Sequence, residues 1–190
     1  MSAKALNREE AYQLLTEYTT SDSLIKHALA VEAIMRAYAR KFGEDEEKWG
    51  IVGLLHDFDY EQYPTPEDHP LKGAAILEEQ GYPEDVIYAI KTHADYLGLP
   101  RNSLMDKTLF AVDELSGLLT AAALVQPNKT IHTVKVKSVK KKMKDKGFAR
   151  SVNRDDIRTG VEELGVDLGE HIGFCIEAMR GVAADLELDN

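Results

Sequence analysis

Apolar residues recur at helical spacing through most of this chain, and that periodicity leaves little room for any architecture except packed helices. Leu24, Ala28, Val31, Ile34, Met35 and Tyr38 share one face, His27 lies on or beside it, and Gly43 supplies a C-terminal stop. Asn7 with Glu10 has the spacing of a capping box, which predicts a first helix from Arg8 to about Thr19, with Ser21 or Asp22 restarting the chain. A third helix is expected from Glu46 through His56, before Tyr, Pro and Thr break the pattern between Phe58 and Pro66. Pro70 suits the first turn of a helix to about Gln80, and Pro83 opens another that reaches His93. Leu104 to Val125 reads as a long apolar helix, and Val136, Val139 and Met143 give a following basic stretch, ended by Gly147, its apolar side. Two more helices are expected at about Asp155 to Leu164 and Leu168 to Leu186. No segment reads as a strand. The prediction is an all-α, single-domain bundle of eight to nine helices over 1–190, with a core over about 22–125 and a helical extension over about 130–190.

Composition narrows the function. A chain with 44% hydrophobic and 29% charged residues is an ordinary globular one. Its net charge of −10 argues against general nucleic-acid binding, because phosphate backbones reward the opposite sign. Residues 135–154 are the exception: nine Lys and Arg against Asp145 alone leave this segment at +8 and the remainder at −18. Cys175 has no possible internal disulfide partner and reads as a small core hydrophobe in a reducing compartment. No apolar run approaches the roughly 18 residues of a membrane span, and Met1 to Asn7 lack a hydrophobic targeting core. A soluble, cytoplasmic protein without membrane contact is therefore expected.

Two carboxylates stand in strongly apolar surroundings, Asp57 in Leu54-Leu55-His56-Asp57-Phe58 and Asp113 after Leu109-Phe110-Ala111-Val112. An unpaired charge there would cost several kcal/mol, on the order of 3–5. His27 and His56 also lie on or beside apolar stripes. Taken singly, each could be a hydrogen-bonded core histidine or an ion-paired aspartate. Taken together, two imidazoles and two carboxylates would be satisfied by one transition metal ion, Mn, Fe, Co, Ni or Zn in preference to Mg or Ca.

A His on one helix, a His-Asp pair about thirty residues on and an Asp on a later helix form the pattern of the HD superfamily of metal-dependent phosphohydrolases. The chain resembles that family from Leu24 to Leu119, most specifically at Val52-Gly53-Leu54-Leu55-His56-Asp57. His69-Pro70-Leu71-Lys72-Gly73-Ala74 and Ile90-Lys91-Thr92-His93 resemble the extra histidines of a two-metal subgroup. The resemblance implies one ion held by His27, His56, Asp57 and Asp113, and a second held by His69 and His93 with Asp57 bridging. It implies hydrolysis of a phosphomonoester, phosphodiester or nucleotide anhydride in a small phosphorylated metabolite or nucleotide, through a metal-activated water. His69 could instead cap the helix after it, and His93 could end its own. The same ligands also serve HD-fold di-iron oxygenases, and a non-catalytic domain binding a nucleotide or partner is the third alternative.

The chain departs from the family where many members carry a Lys three residues after the Asp of the pair, for here the run is His56-Asp57-Phe58-Asp59-Tyr60-Glu61. Asp59 and Glu61 are candidates for a general acid or base, or for orienting the water, with a solvated loop as the alternative. The missing cation could come from the basic segment, where Lys137, Lys140, Lys141, Lys144, Arg150 and Arg154 are candidates for substrate phosphate. His132 and His171 fall outside the pattern and read as structural or exposed.

Overall fold

The computed structural model describes residues 3–190, and among them it contains nine α-helices, one 3-10 turn and no strand. The helices are α1 (Arg8–Tyr18), α2 (Asp22–Phe42), α3 (Glu46–Leu55), α4 (Leu71–Glu79), α5 (Glu84–Thr92), α6 (Leu104–Leu124), α7 (Val136–Lys144), α8 (Arg154–Leu164) and α9 (Leu168–Arg180). The chain forms two compact units, Met1–Leu109 and Phe110–Asn190, and the division falls inside α6. No helix among the described residues is long and apolar enough to cross a membrane.

In the first unit α3 is the central element, packed against α1, α2 and α5, while α4 packs on α5. Every residue of α3 from Trp49 to Leu55 is buried. A helix covered all round needs no amphipathic stripe, and this one has none. Gly53 lets α2 come close: a Cβ there would stand 2.9 Å from the Cα and backbone nitrogen of Glu32. The Glu32 carboxylate is buried at this crossing and is met by Arg8 at 2.7 Å and Arg36 at 3.0 Å. At the start of α1 the Asn7 side chain accepts from the Glu10 backbone nitrogen at 3.0 Å, and α2 ends on Gly43 in the left-handed conformation, φ 71°.

In the second unit α7 and α8 pack against α9. Val139 and Met143 are the buried residues of α7. Gly160 of α8 meets the α6 backbone so closely that a Cβ would lie 2.6 Å from the Ala111 Cα. His171 is fully buried and pairs through Nε2 with the Ala111 carbonyl at 2.8 Å, and His132 is an exposed partner of Asp189 at 2.7 Å, so both are structural here. Burial pushes the Cys175 thiol up, as fits a core side chain.

Two helix ends differ from expectation. The basic helix stops at Lys144 and not at Gly147, because Asp145 leaves the helical conformation and its carboxylate takes the Gly147 nitrogen at 2.9 Å. The last helix stops at Arg180, short of Leu186. Beyond it the Leu188 carbonyl accepts from the Ile131 nitrogen at 2.9 Å and the Thr130 hydroxyl at 3.0 Å, partners that a continued helix could not offer.

Candidate metal centre

The first unit gathers four histidines around one aspartate. His27 comes from α2, and His56 is the residue on which α3 ends. His69 follows a loop and precedes Pro70 at the start of α4, and His93 ends α5. Past His56 the backbone runs through tight turns, Phe58 to Leu55 at 3.3 Å and Tyr60 to Asp57 at 3.0 Å. Leaving the helix there turns Asp57 toward the histidines and buries Phe58 and Asp59 beside it.

Asp57 divides its two oxygens between two histidine pairs. Oδ2 lies 3.3 Å from His56 Nε2 and 3.6 Å from His27 Nε2, whereas Oδ1 lies 3.1 Å from His93 Nε2 and 3.2 Å from His69 Nε2. Within the pairs the two Nε2 atoms stand 3.2 Å apart for His27 and His56, and 3.3 Å apart for His69 and His93. In each pair and Asp57, one ligand atom per residue falls within 4.8 Å of the others. Burial raises the Asp57 pKa, but the His56 charge and hydrogen bonds from His56, His69 and His93 outweigh it, holding the group well below the usual carboxylate range.

The imidazole orientations are fixed from behind. His56 Nδ1 donates to the Gly53 carbonyl at 2.7 Å, and His93 Nδ1 donates to the Ile90 carbonyl. His69 Nδ1 faces Asp59 Oδ1 at 2.7 Å, and the Tyr96 hydroxyl donates to the His69 carbonyl. With Nδ1 committed as donor, each of these rings aims Nε2 toward Asp57 and toward its neighbour, as an N–H donor when the ring is protonated and as a lone pair when it is neutral. Lone pairs facing each other at such distances require a cation between them. A proton is one answer: burial lowers the His69 pKa, but the hydrogen bonds and charges of Asp57 and Asp59 carry it up to about 9. A transition metal ion is the other, and the donor set of imidazole nitrogen and carboxylate oxygen fits it.

Asp59 and Glu61 both have protein partners, Asp59 in the support of the histidine centre and Glu61 in the turn beside it. Asp59 is 1% exposed, with Oδ1 on His69 and Oδ2 accepting from the Gly73 nitrogen at 2.8 Å, so its carboxylate orients a histidine instead of meeting solvent or substrate. Glu61 accepts from the backbone nitrogens of Thr20 at 2.7 Å and Ser21 at 2.8 Å. It ties the turn to the start of α2, where the Ser21 side chain makes no capping hydrogen bond. These bonds, from Thr20 first, keep Glu61 below its ordinary pKa against a smaller opposing effect of burial.

The remaining expected residues belong to the second unit. Asp113 stands on α6, one helical turn after Leu109. Lys137, Lys140, Lys141, Lys144 and Arg150 are exposed. Arg154 has a different occupation: its terminal nitrogens donate to the carbonyls of Lys142, Asp145, Ala149, Val152 and Phe148, which makes it a latch for that loop and not a phosphate ligand. Sequence reasoning did not single out Tyr96 or the Gly53 carbonyl. Gly73 was visible in the run after His69, and a Cβ there would stand 2.8 Å from the Asp59 Cγ.

The sequence pattern of the HD domain matches residues 24–118, a span that covers half of the chain and includes every histidine of the centre. The chain belongs to the HD domain family. HD domains are typical of metal-dependent phosphohydrolases and bind divalent metals. Among curated proteins this HD chain is similar to the ribonuclease Y of Oleidesulfovibrio alaskensis, 28% identical over 106 residues, and to that of Nitratidesulfovibrio vulgaris strain DP4, 30% identical over 106 residues; each match covers 55% of the chain and 20% of the relative. The ribonuclease Y of Lawsonia intracellularis is 28% identical over 110 residues, 57% of the chain and 21% of the relative. The chain thus spans about a fifth of the length of these relatives. No solved structure matches.

Proposed function

We propose that this HD protein is a metal-dependent phosphohydrolase that acts on a small phosphorylated metabolite or nucleotide. The observation that carries this reading is the division of one carboxylate between two histidine pairs, the arrangement of a bridging ligand for two ions. His27, His56 and Asp57 would hold a first ion, to which the family pattern adds Asp113, and His69, His93 and Asp57 would hold a second. Such ions supply positive charge to phosphoryl oxygens and acidify water near neutral pH. The chain's own part is orientation. Gly53 and Ile90 fix His56 and His93 through neutral carbonyls, whereas Asp59 fixes His69 through a full charge. Asp57, held below the usual carboxylate range by its histidine neighbours, supplies the negative charge of the set.

The test combines elemental analysis with hydrolysis of a panel of phosphorylated metabolites in Mn, Co, Ni or Fe. Because the curated relatives carry the name ribonuclease Y, the panel includes an RNA phosphodiester. We expect two ions per chain, and loss of both ions and of turnover in Asp57→Ala, with the helical circular dichroism retained. Undiminished hydrolysis by Asp57→Ala would overturn the proposal.

A further inference from the structure

We infer that the exposed lysine face of α7 is a docking surface for the phosphate backbone of a nucleic acid. Lys137, Lys140, Lys141 and Lys144 fall within about 100° of arc along about 10 Å of helix. All four are exposed. Among the described residues none of the four makes an ion pair, although the chain has 33 Asp and Glu, enough to neutralise every basic residue it carries. Acidic side chains pair with lysines elsewhere, as Lys48 does with Asp85 at 2.7 Å. Along this face no such pair forms, although Lys140 and Asp167 both approach Gly169.

The form of the face selects its partner. A small anion needs cations that converge on a point, and these are strung along a line. A lipid surface would need apolar side chains beside the lysines, to enter the headgroup region. Of the apolar residues of α7, Val139 at 0% and Met143 at 5% exposure are already spent in the core of the second unit, and half-buried Val136 lies against Gly173 of α9. What is left is a purely electrostatic strip, and a nucleic-acid strand offers it a line of phosphates at about 3.4 Å intervals. No exposed aromatic residue lies on α7, so the strip reads charge and not base sequence. Arg154 adds stiffness, since its five carbonyl bonds hold the loop that follows the helix. The net charge of −10 remains an obstacle to binding through the rest of the surface, which confines the interaction to this face.

The experiment is fluorescence anisotropy of the full chain with an end-labelled 24-nucleotide single-stranded RNA, without added metal, from 50 to 200 mM KCl. Four phosphate contacts predict a logarithmic salt slope of about −3, and hence roughly fifty-fold weaker binding across that range. Lys137→Ala, Lys141→Ala and Lys144→Ala together should make the slope shallower by about 2. Alanine favours the helix and these side chains touch no core residue, so circular dichroism should not change. Absence of binding at 50 mM KCl would overturn the inference, as would a wild-type slope in the triple variant. Capture by phosphatidylserine vesicles without RNA binding would overturn it too, in favour of a membrane surface. None of these readouts involves hydrolysis, so failure here and failure of the proposed phosphohydrolase are separate results.

Discussion

Asp57 and Asp59 are two residues apart, yet the turn after α3 gives them opposite tasks. Asp57 is one-fifth exposed and offers both oxygens to histidines that arrive from four places in the chain, while Asp59 is sealed behind His69. An anionic partner behind a ligating imidazole makes it a better donor, and loss of such a partner lowers metal affinity by about 10–100-fold. Asp59→Asn should therefore weaken the ion at His69 and His93 by that factor and leave the ion at His27 and His56 in place, as calorimetric titration with Mn would resolve. Glu61 yields a prediction in pH. Its folded pKa is depressed from the ordinary 4.5, so its contribution to stability is complete above that value and disappears as pH falls through the folded one. Urea denaturation of Glu61→Gln should show a loss against wild type at pH 7, and the loss should shrink as pH falls below 4.5 and through the folded pKa.

Much of this was legible at the level of residues. The order His27, His56-Asp57, His69 and His93 carried the centre, because imidazoles and carboxylates set together in apolar sequence call for a cation to pair with them. The tasks of Asp59 and Glu61 were not legible. Asp59 takes its meaning from Gly73, fourteen residues on, and Glu61 from Thr20, forty-one residues back, and neither distance follows from local pattern.

Between elements, the closest approach that positions the centre is the crossing of α2 with α3 at Gly53. The same residue supplies the carbonyl that orients His56, so helix packing and the aim of a candidate ligand share one position. Gly53→Ala would force a methyl against the Glu32 backbone, and overpacking of this kind costs about 1–3 kcal/mol. Chemical denaturation should show that cost, and metal affinity should fall with it as His56 shifts. Helix starts were readable because caps and breakers are local: Asn7 sets α1, and Gly43 ends α2 through its positive φ. The path of the chain after α9 was not readable, since the Leu188 carbonyl there bonds to residues 130–131, far away in sequence.

For the whole molecule, metal binding should appear as stability. A ligand held only by the folded state at about a hundred times its dissociation constant adds about 2.7 kcal/mol. For a chain of this size that corresponds to roughly 5–11 °C in Tm, which differential scanning calorimetry of the Mn-loaded and EDTA-treated protein would measure. No change in Tm on chelation would argue against any tightly held ion. The distribution of charge has a consequence of another kind. The first unit holds twenty acidic and eleven basic residues, the second thirteen and twelve, with nine of those twelve crowded into 20 positions. An isoelectric point of about 5.1 therefore describes an average that no part of the surface possesses. At neutral pH the protein should be retained by an anion exchanger and also by heparin, a pairing of affinities that its net charge alone would forbid.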